Sequence, residues 1–99
     1  MSVITKRYRQ TTYGDIYTIE YHPQSDRTIK MFCFDHPDNP FSADVTKCHL
    51  YPSGAICVSE GNEPRTMDRA TAIATFWMDG YSKYIRSGEF PNGAAKVNV

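Results

Sequence analysis

Long apolar runs are missing from this chain. Nowhere do roughly eighteen consecutive residues stay hydrophobic, which excludes a membrane-spanning helix. Net charge of either sign is missing as well. Eleven Lys and Arg balance eleven Asp and Glu, so no global field draws the chain to nucleic acid or an anionic bilayer. The one basic cluster is Lys6, Arg7 and Arg9, with Tyr8 and Tyr13 nearby. Like charges on an edge strand discourage aggregation, which accounts for the cluster without a ligand. Cysteine is scarce and odd in number: Cys33, Cys48 and Cys57 supply no disulfide framework, so free thiols in a reducing cytoplasm are expected. The opening residues, MSVITKRYRQ, lack the apolar core of a signal peptide, and the expectation is a soluble cytoplasmic protein.

The composition that remains is globular. Hydrophobic residues make up 40% and aromatic residues 13% of 99 positions, enough for one core and not two. No repeat, linker or low-complexity stretch divides the chain, so residues 1–99 read as a single domain with 94–99 as a flexible tail.

Residues 3–9 and 14–22 are rich in Ile, Thr, Tyr and Val and read as strands, with TTYGD between them as the turn. In the second strand Tyr17, Ile19 and Tyr21 share one face by the period of two. A third strand, TIKMFCF over 28–34, is apolar on both faces and is expected in the middle of a sheet. Residues 45–51 and 55–58 are expected to add short strands. From Ala70 the period changes. Ala70, Ile73, Ala74, Trp77, Tyr81, Tyr84 and Ile85 recur at steps of three and four, one apolar stripe of a helix. Thr66 is placed to cap its start and Gly88 its end, and Gly80 inside it implies close packing. The fold class is α+β: an antiparallel meander of about four strands packed against one long C-terminal helix.

Chemistry concentrates in CHLYPSGAICVS, residues 48–59. If 55–58 is extended, Ile56 and Val58 turn to the core and Cys57 turns away. An outward thiol suits a nucleophile, whereas most free cysteines are buried fillers. Alternation alone leaves both readings open. His49 lies across the Pro52-Ser53-Gly54 turn, from where an imidazole can come back toward Cys57. The zinc-type donors Cys33, His36, Cys48 and His49 lack a paired C-x-x-C, and neighbours such as Cys48 and His49 on a strand point to opposite faces. No metal or cofactor is expected.

The segment from His49 to Val58 resembles the active-site stretch of ubiquitin-conjugating enzymes, where a His-Pro-Asn motif precedes an aromatic residue, a glycine turn and Ile/Leu-Cys-Leu. Aligned on the cysteine, His49 takes the asparagine position, Tyr51 the aromatic, Gly54 the turn glycine and Cys57 the nucleophile. A histidine at the asparagine position, in the form His-x-Tyr-x-x-Gly-x-Leu-Cys with Ile56 in place of the leucine, resembles the short bacterial members found in anti-phage and ubiquitin-like conjugation operons. NPFS upstream, Trp77, Tyr81, Tyr84 and SGEFPNG downstream fit that pattern over residues 14–93. His-Pro-Asn itself is absent, Cys48 stands in place of its proline, and the family's N-terminal and C-terminal helices have no counterpart. The resemblance implies that Cys57 carries a ubiquitin-like modifier as a thioester, received from an adenylating enzyme and passed to an amine on a target protein. It also implies His49 as oxyanion donor, Tyr51 as a structural residue under the turn, and Glu60 or Glu63 as the group that deprotonates the amine. The alternative reading is a non-catalytic module of the same fold that binds a partner protein, its thiol incidental.

Overall fold

Alternating polar and apolar residues over 16–23 form the central strand of the molecule. The computed structural model describes residues 2–91, in the order β1 (Ile4–Arg9), β2 (Ile16–Pro23), β3 (Ile29–Asp35), α1 (Val45–Cys48) and α2 (Met67–Ser87). The sheet runs β1-β2-β3, antiparallel throughout, so the architecture is an α+β meander of three strands, not four, followed by a helix. The expected tail at 94–99 lies outside the described residues. No described helix is long and apolar enough to cross a membrane.

Tyr17, Ile19 and Tyr21 of β2 are fully buried, with Ile29, Met31 and Cys33 of β3 beside them. Against this face lies the stripe of α2: Ala70, Ile73, Ala74, Trp77, Tyr81 and Tyr84, all buried. Rings dominate the interface. Tyr17 meets Trp77 edge-on at 5.7 Å, and Trp77 lies 4.8 Å from Tyr81. The buried Tyr17 hydroxyl, which would cost about 1–3 kcal/mol if left unpaired, bonds to Ser82 Oγ at 2.6 Å and lies 3.3 Å from the Met78 carbonyl. Both ends of α2 are capped as read from sequence. Thr66 Oγ1 accepts from the Arg69 amide at 3.1 Å, and Gly88 closes the helix with φ 81°.

Two expectations fail. Residues 45–51 do not form a strand: Asp44 accepts from the amide and hydroxyl of Thr46 and caps one helical turn, α1. That local hydrogen bonding outcompetes extension. Only Leu50 keeps a β contact, a bridge to Ile56, while Ala55 bridges to Phe32. The strand expected at 55–58 is reduced to these bridges. β3 is the last of the three strands in the sheet order, and its outer edge is bonded in turn to the 54–56 segment: the Cys33 amide donates to the Gly54 carbonyl at 2.8 Å and the Ile56 amide to the Met31 carbonyl at 2.9 Å. Its second apolar face is covered in part: Phe32 and Phe34 stack on each other at 5.7 Å, with Phe34 60% exposed.

Candidate functional site

The site is a tight β-like hairpin mounted between α1 and the edge of β3. His49 ends α1 in the left-handed region, φ 57° and ψ 32°, its amide donating to the Val45 carbonyl at 2.9 Å. That conformation costs an L-residue about 1–2 kcal/mol and turns the chain toward the 52–54 reversal. There the Gly54 amide donates to the Tyr51 carbonyl at 2.8 Å, the Tyr51 amide to the Ala55 carbonyl at 2.9 Å, and the Cys57 amide to the His49 carbonyl at 3.0 Å. These bonds set Tyr51 opposite Ala55, Leu50 opposite Ile56, and His49 opposite Cys57. Gly54 has φ 92°, and a Cβ there would lie 2.4 Å from Phe34 Cε1. The turn therefore needs a glycine twice over, for its backbone angle and for the ring pressed against it.

Alternation then sorts the side chains. Ile56 is buried and Val58 packs against the core, whereas Cys57 is half-exposed. The other two thiols are buried. Cys33 donates to the Asp35 carbonyl at 3.3 Å, and burial pushes its thiol up to about 12. Cys48 donates to the carbonyls of Ala43 and Leu50 at 3.6 and 3.7 Å. Cys57 is the most accessible thiol of the three.

Tyr51 departs from its expected role. It does not pack under the turn, which Phe34 occupies; it is 44% exposed, and its hydroxyl lies 3.8 Å from Cys57 Sγ. The contact with the thiol holds the Tyr51 phenol above its ordinary pKa. His49 is half-buried, and its ring rests edge-on against Phe90, centroids 4.5 Å apart. Burial holds this imidazole below its ordinary pKa of 6.5, so it is neutral at pH 7 and carries one N–H donor.

The two glutamates lie in the loop that follows Cys57. Glu63 accepts from the Gly61 amide through both carboxylate oxygens, at 3.2 Å each, and closes its own loop. Glu60 is solvent-exposed. Among the described residues, no group of three His, Cys, Asp or Glu side chains is arranged to hold a metal; His36 Nδ1 donates to the Pro37 carbonyl at 2.9 Å.

Two open clefts flank Tyr51. One, of about 380 Å³, is lined by Cys33, Phe34, Cys48, Leu50, Tyr51 and Tyr81 among others; the second, of about 460 Å³, is walled by Met31, Phe32, Tyr51, Ile56, Val58 and Pro64. Phe34 and Phe90 were not among the residues that the sequence marked for the site. The glycines they press against are the signal that finds them, since an interior helix glycine and a turn glycine both imply a close neighbour. Comparison with protein-family models, with curated proteins and with solved structures gave no match.

Proposed function

We propose that this protein is a short ubiquitin-conjugating-like acyl carrier of a reducing cytoplasm. Cys57 takes the C-terminal carboxyl of a ubiquitin-like modifier from an adenylating enzyme as a thioester and yields it to an amine. The observation that carries this reading is the separation of the three thiols: two are buried and bonded to main-chain carbonyls, while the one in the resembling motif stands outward beside the Tyr51 hydroxyl. The three-stranded meander with its long helix agrees with a minimal form of that family's fold. In the transfer step the incoming sulfur or amine adds to the carbonyl, and negative charge gathers on its oxygen. The neutral His49 N–H, across the hairpin from Cys57, is the donor proposed for that oxygen.

Iodoacetamide tests the thiol directly, with modified cysteines identified by mass spectrometry. Cys57 is expected to react well ahead of Cys33 and Cys48, and incubation with a short peptide thioester is expected to leave a reductant-labile acyl group that Cys57→Ser abolishes. Equal reactivity of all three thiols, or no acyl uptake, overturns the proposal. One observation favours the alternative of a non-catalytic binding module: Cys57 and His49 line neither cleft, so both clefts open beside the thiol and not over it. That module predicts an inert Cys57 and partner binding unaffected by Cys57→Ser.

A further inference from the structure

The chain reverses after α2 in a way that the acyl-carrier reading does not use. Past Gly88, Phe90 folds back onto the helix it has just left. A Cβ built on Gly80 would stand 2.4 Å from both Cε1 and Cζ of the Phe90 ring. Gly80 is thus a notch in the helix surface, and the ring fills it. The same ring meets His49 with an interplanar angle of 81° and the centroids 4.5 Å apart, and it lies 6.4 Å from Tyr84. Three parts of the chain meet at this ring: the interior of α2, the end of α1, and the segment after Gly88.

His49 needs such a support. Its left-handed backbone sets the direction in which the side chain leaves the chain, but leaves the imidazole its own torsions. A side chain that donates a hydrogen bond to a developing charge acts only if it is already held in place. Phe90 has no polar atom on its ring to compete for the imidazole proton, so it can fix the ring while leaving the N–H free to donate.

We infer that Phe90, seated in the Gly80 notch, is the positioning residue for the His49 imidazole. Its consequence for transfer rests on the acyl-carrier reading; the contact itself does not. In the step concerned, the Cys57 thiolate forms a C–S bond to the carbonyl carbon of a thioester and the carbonyl oxygen takes the charge, facing the His49 N–H. Collapse of the intermediate breaks the bond to the departing sulfur, which leaves as a thiolate. Charge and electrons balance with no further reactant.

Phe90→Ala removes the ring, and Gly80→Ala displaces it by filling the notch with a methyl group while favouring the helix. Three readouts are taken on each variant and on the parent: the His49 ring resonances by NMR, acylation by a short peptide thioester, and alkylation of Cys57 by iodoacetamide. In both variants the His49 resonances are expected to move, and acylation to fall about 10²-fold through misplacement of the donor. Alkylation, a displacement at carbon that builds no oxyanion, should hold its parental rate. Phe90→Tyr, which keeps the ring, should restore both altered signals. Unmoved His49 resonances in both variants overturn the inference, as does moved resonance with unchanged acylation. If the parent protein takes up no acyl group, the acyl-carrier reading falls, and the His49 resonances alone uphold or overturn the Phe90 contact.

Discussion

Cys57, Tyr51 and His49 owe their arrangement to backbone chemistry at single positions. The 52–54 reversal works because Gly54 takes φ 92° and leaves room for Phe34. Gly54→Ala meets both objections, and its backbone term alone is about 1–2 kcal/mol. The variant is expected to unfold at correspondingly lower denaturant concentration and to alkylate at Cys57 at an altered rate, because the register between Tyr51 and Cys57 depends on that turn. Equilibrium urea unfolding and iodoacetamide kinetics on the same sample check both parts. An unchanged midpoint would mean that the turn accommodates a Cβ. The αL conformation of His49 was not visible in its sequence neighbourhood, since no glycine or asparagine announces it; it follows from α1, which the Asp44 cap creates.

The dominant element is α2, and its definition is largely local. An apolar stripe, a threonine before it and a glycine after it were readable at once, and they are the residues that pack and cap the helix. Thr66→Ala removes the bond to the Arg69 amide and should lower stability by about 1 kcal/mol, with Thr66→Ser recovering most of it. Thermal unfolding followed by Trp77 fluorescence provides the measurement, and a midpoint shared by all three proteins would contradict the capping role. Strand propensity, by contrast, says little about which strand pairs at which edge. TIKMFCF is apolar on both faces; it is flanked by β2 on one edge and by the 54–56 segment on the other, with one face buried under α2 and the other covered in part. Phe34 stays 60% exposed, with Phe32 stacked on it and the Gly54 turn pressed against its ring.

Across the whole molecule, the β1–β2 hairpin is tied to α2 by side chains far apart in the chain. Arg86 bonds to both carboxylate oxygens of Asp15, at 2.6 and 3.0 Å, while its guanidinium lies 4.0 Å over the Tyr13 ring. Gln10 adds a bond to Asp79 at 2.9 Å. The hydrogen bond from Arg86 holds the Asp15 carboxyl below its ordinary pKa of 3.8. A carboxylate depressed on folding stabilises the native state fully above that ordinary value, and the contribution is lost as pH falls through the depressed one. Asp15→Asn should therefore cost about 1 kcal/mol or less near pH 7, the scale of a half-exposed pair. The gap between parent and variant should close as pH drops below 3.8. Urea unfolding at pH 7 and at pH 3 tests this; a gap independent of pH would assign the loss to packing and not to the ion pair.

Fold class, the buried face of β2, the helix with both caps, and the residue type at each site position were all legible in the chain. They depend on period, propensity and short-range capping, which are properties of neighbouring residues. The tertiary structure alone decided the rest. It closed the outer edge of β3 with the 54–56 segment, aimed the Tyr51 hydroxyl at Cys57, and set Phe90 into Gly80 against His49. Each of these depends on which distant surfaces meet, and on whether a cavity or a ring awaits the side chain there. Packing at that range is settled by the folded whole, because burial is a property of the assembled core and not of any one segment.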